Sequence, residues 1–123
     1  MKKTILIIED DEYLAELYRF KFSQGPYTIL EARNGRDGAD IAKKEKPDLI
    51  LLDIVMPVLD GYETLKLLRE DKETKNLKIY ILSNLGQADE IQHAINDGAD
   101  GYFIKANMTP NQLLNEVDEI LKN

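Results

Sequence analysis

The 123-residue sequence contains no cysteine and a single histidine, His93. The absence of cysteine excludes disulfide bonds, thiolate metal sites and a cysteine nucleophile, and it suits a reducing cytosol. His93 lies in a polar predicted helix without a second ligand at metal-binding spacing, so we interpret it as a surface residue. No apolar run reaches the length of a membrane span or of a signal-peptide core. We therefore expect a cytoplasmic protein without a membrane segment.

Acidic residues outnumber basic ones, 23 to 16, which gives a formal net charge of -7. A phosphate backbone would repel such a surface, so we expect no direct contact with nucleic acid. Apolar residues make up 43% of the chain, enough for one hydrophobic core. With no linker or repeat visible, the composition predicts one domain that covers residues 1–123.

Five apolar runs alternate with five amphipathic segments along the chain. The predicted strands cover residues 4–8, 27–31, 49–52, 78–82 and 101–104. The predicted helices cover residues 12–23, 36–45, a segment after the N-cap Asp60, 88–97 and a segment after the N-cap Thr109. Strand followed by helix five times predicts an α/β fold, a (βα)5 doubly wound parallel sheet. The order of the strands does not follow from this pattern.

Three of the apolar runs end in charged residues, and we expect these runs to be fully buried strands. Ligands of open α/β sheets bind outside the carboxyl ends of the strands, so the charged side chains should share one crevice. Clustered carboxylates repel one another, and a bound divalent cation would reduce this repulsion. The ammonium group would then be available to bind an anion. The charged residues are Glu9, Asp10 and Asp11 after the run at residues 5–8, Asp53 after the run at residues 49–52, and Lys105 after the run at residues 102–104.

Four segments of the chain resemble, in their order, the receiver domain of two-component response regulators. They are residues 5–11, 53–61, 81–83 and 102–105. The resemblance covers the whole chain and is that of a stand-alone receiver similar to the chemotaxis regulators. It implies a flavodoxin-like sheet with the strand order 2-1-3-4-5.

The resemblance also implies roles for four side chains. Asp53 would accept a phosphoryl group from a histidine kinase or a phosphotransfer protein. Lys105 would pair with Asp53 before phosphorylation and with the phosphoryl group afterwards. Ser83 would bond a phosphoryl oxygen, and Tyr102 would move inward behind it, so that a local charge changes a protein-interaction surface.

The metal site implied by the resemblance takes Mg²⁺, an ion that prefers oxygen ligands and keeps several waters. Its ligands would be the carboxylates of Asp10 and Asp53, the backbone carbonyl of Val55, and Glu9, which would reach the ion through water. Taken alone, an acidic run of this kind is typical of a solvated helix start, and we keep that interpretation for Asp11.

Several positions depart from the family pattern. The family commonly has proline after the active-site lysine, whereas Ala106 follows Lys105, and a trans peptide bond is therefore expected. Asn84 is larger than the residue that usually follows the switch hydroxyl. Val55 and Leu85 occupy positions that govern water access, and their apolar side chains predict a persistent phosphorylated state.

The prediction is of a signalling module that is not an enzyme, with only weak intrinsic self-phosphorylation and dephosphorylation. One alternative is a receiver module from a hybrid histidine kinase or a longer regulator. A metal-dependent phosphohydrolase would need a carboxylate two residues after the nucleophile, where Val55 stands. A passive scaffold would not need the full set of Asp10, Asp53, Ser83 and Lys105.

Two partners are expected, both of them proteins. The kinase should contact the first helix and the loop at residues 106–108, and the downstream partner should contact the face around Tyr102. We expect a monomer or a weak, phosphorylation-dependent dimer. The residues predicted to meet the kinase on the first helix are Tyr13, Leu14, Leu17 and Tyr18.

Overall fold

The computed structural model describes residues 2–122, so residues 1 and 123 of the predicted domain lie outside the described residues. Within this part of the chain, five strands alternate with five α-helices. The strands are β1 Lys3–Ile8, β2 Tyr27–Ala32, β3 Leu49–Leu52, β4 Ile79–Ser83 and β5 Gly101–Ile104. The helices are α1 Glu12–Ser23, α2 Gly35–Glu45, α3 Gly61–Glu70, α4 Ala88–Asn96 and α5 Pro110–Leu121, and a 3₁₀ turn, Lys105–Asn107, precedes α5.

The strands form one parallel sheet in the order β2-β1-β3-β4-β5, which confirms the predicted flavodoxin-like topology. Alternate residues of a strand face opposite sides of a sheet, so β1 contributes to two cores. Ile5 and Ile7 belong to the core formed with α1 and α5. Leu6 and Ile8 belong to the core formed with α2, α3 and α4. The helices therefore cover both faces and leave the carboxyl edge of the sheet open.

Side-chain caps fix the starts of two helices where the sequence predicts them. Asp60 accepts from the Glu63 N–H at 2.9 Å, and the Glu63 carboxylate accepts from the Asp60 N–H at 3.0 Å. Thr109 and Gln112 form the same reciprocal arrangement at the start of α5. Satisfying otherwise unpaired N–H groups in this way fixes where each helix begins.

The prediction that residues 102–104 form a fully buried strand is wrong. Every residue of β5 is only partly buried, whereas all four residues of β3 are buried. β5 lies at the edge of the sheet and pairs only with β4, so it has a neighbouring strand on one side. An apolar run does not reveal strand order, and this is why the burial was overestimated.

His93 is a surface residue, as predicted, with 54% of its side chain exposed. Its ring stacks on Tyr62 of α3 with centroids 4.0 Å apart, and its Nε2 lies 3.1 Å from Asp97. The stacking connects α4 to α3, and the contact with Asp97 lies at the end of α4 itself. Within residues 2–122, no helix has the length and apolar character that crossing a bilayer requires.

Candidate functional site

The register of the sheet brings the acidic residues together. Ile8 at the end of β1 pairs with Leu52 at the end of β3. The residues that follow, Glu9 and Asp53, therefore leave neighbouring strands at the same level. The N–H of Asp53 donates to the carbonyl of Ile8 at 3.0 Å, which holds the two strand ends side by side.

Three carboxylates meet at this edge. Oxygen atoms of Glu9, Asp10 and Asp53 all lie within 4.8 Å of one another. Glu9 and Asp53 are buried, with 2% and 6% of their surface exposed, whereas Asp10 is exposed. Oxygen ligands of this kind, with an open side for water, fit a hard divalent cation such as Mg²⁺. Asp11 has a different role: it lies at the start of α1, as predicted, and its side chain caps the helix by accepting from the N–H of Leu14.

Lys105 follows β5, whose last residue, Ile104, pairs with Ser83 of β4. Its Nζ lies 2.5 Å from Oε1 of Glu9 and 3.1 Å from Oδ2 of Asp53. The side chain is only 9% exposed. The predicted pairing of Lys105 with Asp53 is therefore present, and a second, shorter contact with Glu9 accompanies it.

The charges of this cluster depend on one another. Burial raises the pKa of Glu9 to about 7, even though the ammonium of Lys105 opposes the shift. Burial acts to lower the pKa of Lys105, but its contacts with Glu9 and Asp53 outweigh that effect and raise it above its ordinary value. Lys105 therefore stays charged and offsets part of the carboxylate repulsion.

The loop from β3 to α3 carries Val55 beside the acidic site. The N–H of Gly61 donates to the carbonyl of Ile54 at 2.8 Å. A Cβ atom at Gly61 would lie 2.3 Å from the carbonyl oxygen of Asp53, so only glycine allows this approach. The loop is thus closed tightly against the strand end, while the side chain of Val55 is 62% exposed.

A cavity of about 130 Å³ opens beside the carboxylate of Asp53. The hydroxyl of Ser83, a buried residue, accepts from the N–H of Leu85 at 3.2 Å. The cavity has polar groups on both sides and room for a small anion. Its lining residues are Asp53, Val55, Ser83, Asn84, Leu85 and Lys105.

Tyr102 connects β5 to the loop that follows β4. Its hydroxyl donates to the carbonyl of Leu85, and its ring packs against the core on the α4 side of the sheet. Burial is the main cause that raises the pKa of Tyr102 to about 12, so the phenol is a proton donor at neutral pH. The side chain is partly buried and faces inward in this structure.

The loop after Lys105 has the trans geometry expected for Ala106, since residues 2–122 contain no cis peptide bond. The N–H of Ala106 donates to Oδ1 of Asn84 at 3.0 Å. The sequence analysis noted Asn84 only for its size and missed this bond. The sequence did contain a signal for this bond. Asn84 places an amide side chain directly after β4, and Ala106, unlike the usual proline, has an N–H that can donate after β5.

The structure brings together every residue predicted for the site: Glu9, Asp10, Asp53, Val55, Ser83 and Lys105, with Tyr102 behind them. It does not test their chemical roles, which stay predictions. The contact between Glu9 and Lys105 was not foreseen, because Glu9 was assigned only to the metal.

A flavodoxin-like sheet with buried carboxylates and a lysine at its carboxyl edge defines an α/β domain with an acidic site that could bind a metal ion. The family model of the response regulator receiver domain matches residues 5–118. The chain belongs to this family of two-component signalling domains.

Two kinds of relative match the chain. The chemotaxis protein CheY of Halobacterium salinarum is 30% identical over 121 residues, and the match covers 98% of both proteins. The nitrate/nitrite response regulator NarL of Escherichia coli is 39% identical over 113 residues, covering 90% of this chain and 51% of NarL. The transcriptional regulator RpaA of Synechocystis is 34% identical over 101 residues, 82% of this chain and 42% of RpaA. The chain thus spans about half or less of the two longer regulators.

Solved structures show the same fold. The chemotaxis protein CheY4 of Vibrio cholerae superposes with a TM-score of 0.90 at 25% identity and covers 98% of this chain and 100% of its own. The phosphorylated cyanobacterial phytochrome response regulator RcpA has a TM-score of 0.83 at 26% identity, covering 98% of this chain and 91% of its own. The match therefore extends over the whole domain.

Proposed function

We propose that Asp53 accepts a phosphoryl group from a phosphohistidine on a histidine kinase or phosphotransfer protein. The observation that carries this proposal is the cavity at Asp53, where Lys105 lies 3.1 Å from the carboxylate and the buried Ser83 also lines the space. A phosphoryl group in that cavity would meet a cation and a hydroxyl. Such positioning and charge neutralisation make up most of what phosphoryl transfer requires.

In the proposed transfer, a carboxylate oxygen of Asp53 attacks the phosphorus of the donor's phosphohistidine. The new O–P bond forms as the P–N bond breaks, and the departing imidazole nitrogen keeps the electron pair and takes up a proton. Lys105 then exchanges its contact with Asp53 for one with a phosphoryl oxygen.

Glu9, Asp10 and Asp53, with the backbone carbonyl of Val55, would hold Mg²⁺ at this site. When bound, the ion supplies positive charge that offsets the repulsion between the carboxylates and the phosphoryl oxygens. The three carboxylates within 4.8 Å of one another support this assignment.

The switch in this proposal runs from Ser83 to Tyr102. Ser83 accepts from the N–H of Leu85, and the carbonyl of Leu85 accepts from the hydroxyl of Tyr102. If the Ser83 hydroxyl turns toward a phosphoryl oxygen, its hydrogen bond with the N–H of Leu85 changes. The hydrogen bond between the carbonyl of Leu85 and the hydroxyl of Tyr102 would then change as well. The face formed by α4, β5 and α5 would then present a different surface to a downstream protein.

The donor would contact α1 and the loop at residues 106–108. A cleft of about 230 Å³ separates them, and its apolar walls include Leu14, Leu17 and Met108. Of the α1 residues predicted to meet the donor, Tyr13 is 74% exposed, and Leu14 and Leu17 are partly buried. Tyr18 is only 6% exposed and belongs to the core, which leaves little of its side chain for a partner. The phosphoryl transfer would take place in the cytoplasm. The chain would act alone or within a longer regulator. It would be a monomer or a weak dimer that forms on phosphorylation.

Incubation with Mg²⁺ and acetyl phosphate tests the acceptor. Intact-protein mass spectrometry should show one added phosphoryl group on the wild type and none on Asp53→Asn. Asp40→Asn, the same change at an exposed carboxylate of α2, should be labelled like the wild type. Full labelling of Asp53→Asn would place the acceptor elsewhere.

Amide hydrogen exchange of α4 tests the switch. Addition of Mg²⁺ and beryllium fluoride, a mimic of the phosphoryl group, should change exchange in α4 of the wild type. Tyr102→Ala should still bind the mimic but show a smaller change, whereas Tyr13→Ala, at a residue 74% exposed on α1, should respond like the wild type. An equal response in all three proteins would rule out Tyr102 as the switch.

A further inference from the structure

A hydrogen bond joins the segment that follows β4 to the segment that follows β5. Asn84, the residue after Ser83, accepts with Oδ1 from the N–H of Ala106, the residue after Lys105, at 3.0 Å. Strand pairing between β4 and β5 ends with Ser83 and Ile104. The side chain of Asn84 therefore continues the connection between the two strands beyond the point where the backbone ladder stops.

The bond also completes a short helical turn. Lys105–Asn107 forms a 3₁₀ turn, and the residue before it, Ile104, offers no side-chain cap. The first N–H groups of a helical turn have no partner within the turn. Asn84 supplies a partner for one of them from a neighbouring loop, and so fixes the backbone that follows Lys105.

Asn84 borders two cavities. It lines the cavity of about 130 Å³ at Asp53, and it lines the cleft of about 230 Å³ between α1 and the loop after β5. Lys105 is the other residue that lines both spaces. The wall between the phosphoacceptor cavity and the cleft beside α1 is therefore built from Asn84 and Lys105, and their loops are joined by the bond to Ala106.

We propose that Asn84 is a positioning residue: by holding the N–H of Ala106 it fixes the Lys105 loop for the phosphoryl group and makes the loops after β4 and β5 move together. This inference rests on the proposed phosphoacceptor role of Asp53. When the Ser83 hydroxyl moves to a phosphoryl oxygen, the adjacent Asn84 moves with it and displaces residues 106–108. Occupation of the Asp53 cavity is thereby transmitted to the cleft beside α1, where the donor is proposed to bind.

The test compares Asn84→Ala with Asn76→Ala, the same change at an exposed residue between α3 and β4 that lines neither cavity. The probe is beryllium fluoride with Mg²⁺, and Mg²⁺ alone is titrated separately. Asn84→Ala should weaken binding of beryllium fluoride about fivefold, as expected for one lost hydrogen bond, and leave Mg²⁺ affinity unchanged. Asn76→Ala should match the wild type in both titrations. A merely loosened site would lose affinity for the cation and the anion together.

The amide signals of residues 105–108 supply a second readout. In the wild type, beryllium fluoride should shift these signals, and in Asn84→Ala the shifts should be much smaller. The Ala106 amide should exchange faster in Asn84→Ala but remain slow in Asn84→Asp, which keeps an acceptor oxygen.

Three outcomes are decisive. Equal behaviour of Asn84→Ala and Asn76→Ala in both titrations and in the amide shifts would overturn the positioning role. Parallel loss of Mg²⁺ and beryllium fluoride affinity in Asn84→Ala would overturn it as well. Failure of the wild type to bind beryllium fluoride would instead overturn the proposed function of Asp53.

Discussion

The ammonium of Lys105 lies closer to Glu9 than to Asp53, at 2.5 Å against 3.1 Å. Lys105 therefore has a partner that remains when Asp53 is covered by a phosphoryl group. The contact keeps Nζ at the edge of the cavity, where an anion would arrive. Glu9 thus contacts the lysine as well as lying among the carboxylates that could bind a metal ion.

Lys105→Met should affect binding of an anion and binding of Mg²⁺ in opposite directions. The variant should lose binding of beryllium fluoride, because no ammonium faces the cavity. Its affinity for Mg²⁺ should rise at least about fivefold, since two unit charges about 4 Å apart repel by about 1 kcal/mol in water and Mg²⁺ carries two charges. Isothermal titration with each ligand measures both effects.

Lys66→Met is the matched control for that experiment, because Lys66 is exposed on α3. It should bind both ligands like the wild type. Weaker Mg²⁺ binding by Lys105→Met would contradict the electrostatic argument.

Asp10→Asn should remove most of the stabilisation that Mg²⁺ gives the folded protein. A ligand at ten times its Kd raises the free energy of unfolding by about 1.4 kcal/mol, and the wild type should show that gain. Asp11→Asn should keep it, because asparagine also serves as an N-cap for α1. Urea unfolding with and without Mg²⁺ measures the difference, and an equal gain in Asp10→Asn would show that the ion binds elsewhere.

The sequence was informative wherever the signal is local. The charged residues after β3 and β5, Asp53 and Lys105, were identified because each apolar run ends at a charge. The N-caps Asp60 and Thr109 were identified because the capping pattern spans four residues. The strand order came from the family resemblance, since the hydrophobic pattern does not contain it.

The sequence was uninformative wherever two distant segments meet. The bond between Asn84 and Ala106 joins residues 22 positions apart and depends on the placement of two loops. The contact between Glu9 and Lys105 likewise depends on which strands are neighbours. The partial burial of β5 follows from its edge position, which composition does not encode.

Val55→Asn should speed the loss of phosphate from Asp53. Val55 lines the cavity beside the acceptor and offers no hydrogen bond to an attacking water. An amide there could orient that water, and the rate should rise about threefold to tenfold. Val58→Asn is the control, because Val58 lies in the same loop but does not line the cavity. Equal decay of the phosphorylated forms of both variants would count against the water-access argument.

Val58→Gly should stabilise the protein. Val58 has φ +70° and is 79% exposed, a left-handed conformation that is strained for a β-branched residue. Such strain costs about 1 to 3 kcal/mol, and the greater freedom of glycine in the unfolded chain offsets part of the relief. We expect a net gain of about 1 kcal/mol in urea unfolding. Val55→Gly, at the other exposed valine of the loop, should give no gain, and a gain of equal size there would disprove the strain argument.

Tyr27→Phe should destabilise the protein in a way that depends on pH. The hydroxyl of Tyr27 donates to Oδ1 of Asp118, which ties β2 to α5. Loss of this bond should cost about 1 kcal/mol at pH 7. Burial, assisted by Asp118, raises the pKa of Tyr27 to about 12.

The sign of the pH effect follows from that shift. The folded state retains the phenol proton more strongly than the unfolded state, where the pKa is about 10. The contribution of Tyr27 is therefore complete below about pH 10 and is lost as the pH rises toward 12. Titration of other groups is common to both proteins and cancels in their difference, so the stability gap between wild type and Tyr27→Phe should shrink over this interval. Tyr13→Phe, at a tyrosine 74% exposed, should show no gap at any pH. A gap for Tyr27→Phe that stays constant up to pH 12 would mean that the hydrogen-bonded phenol does not contribute the stability assigned to it.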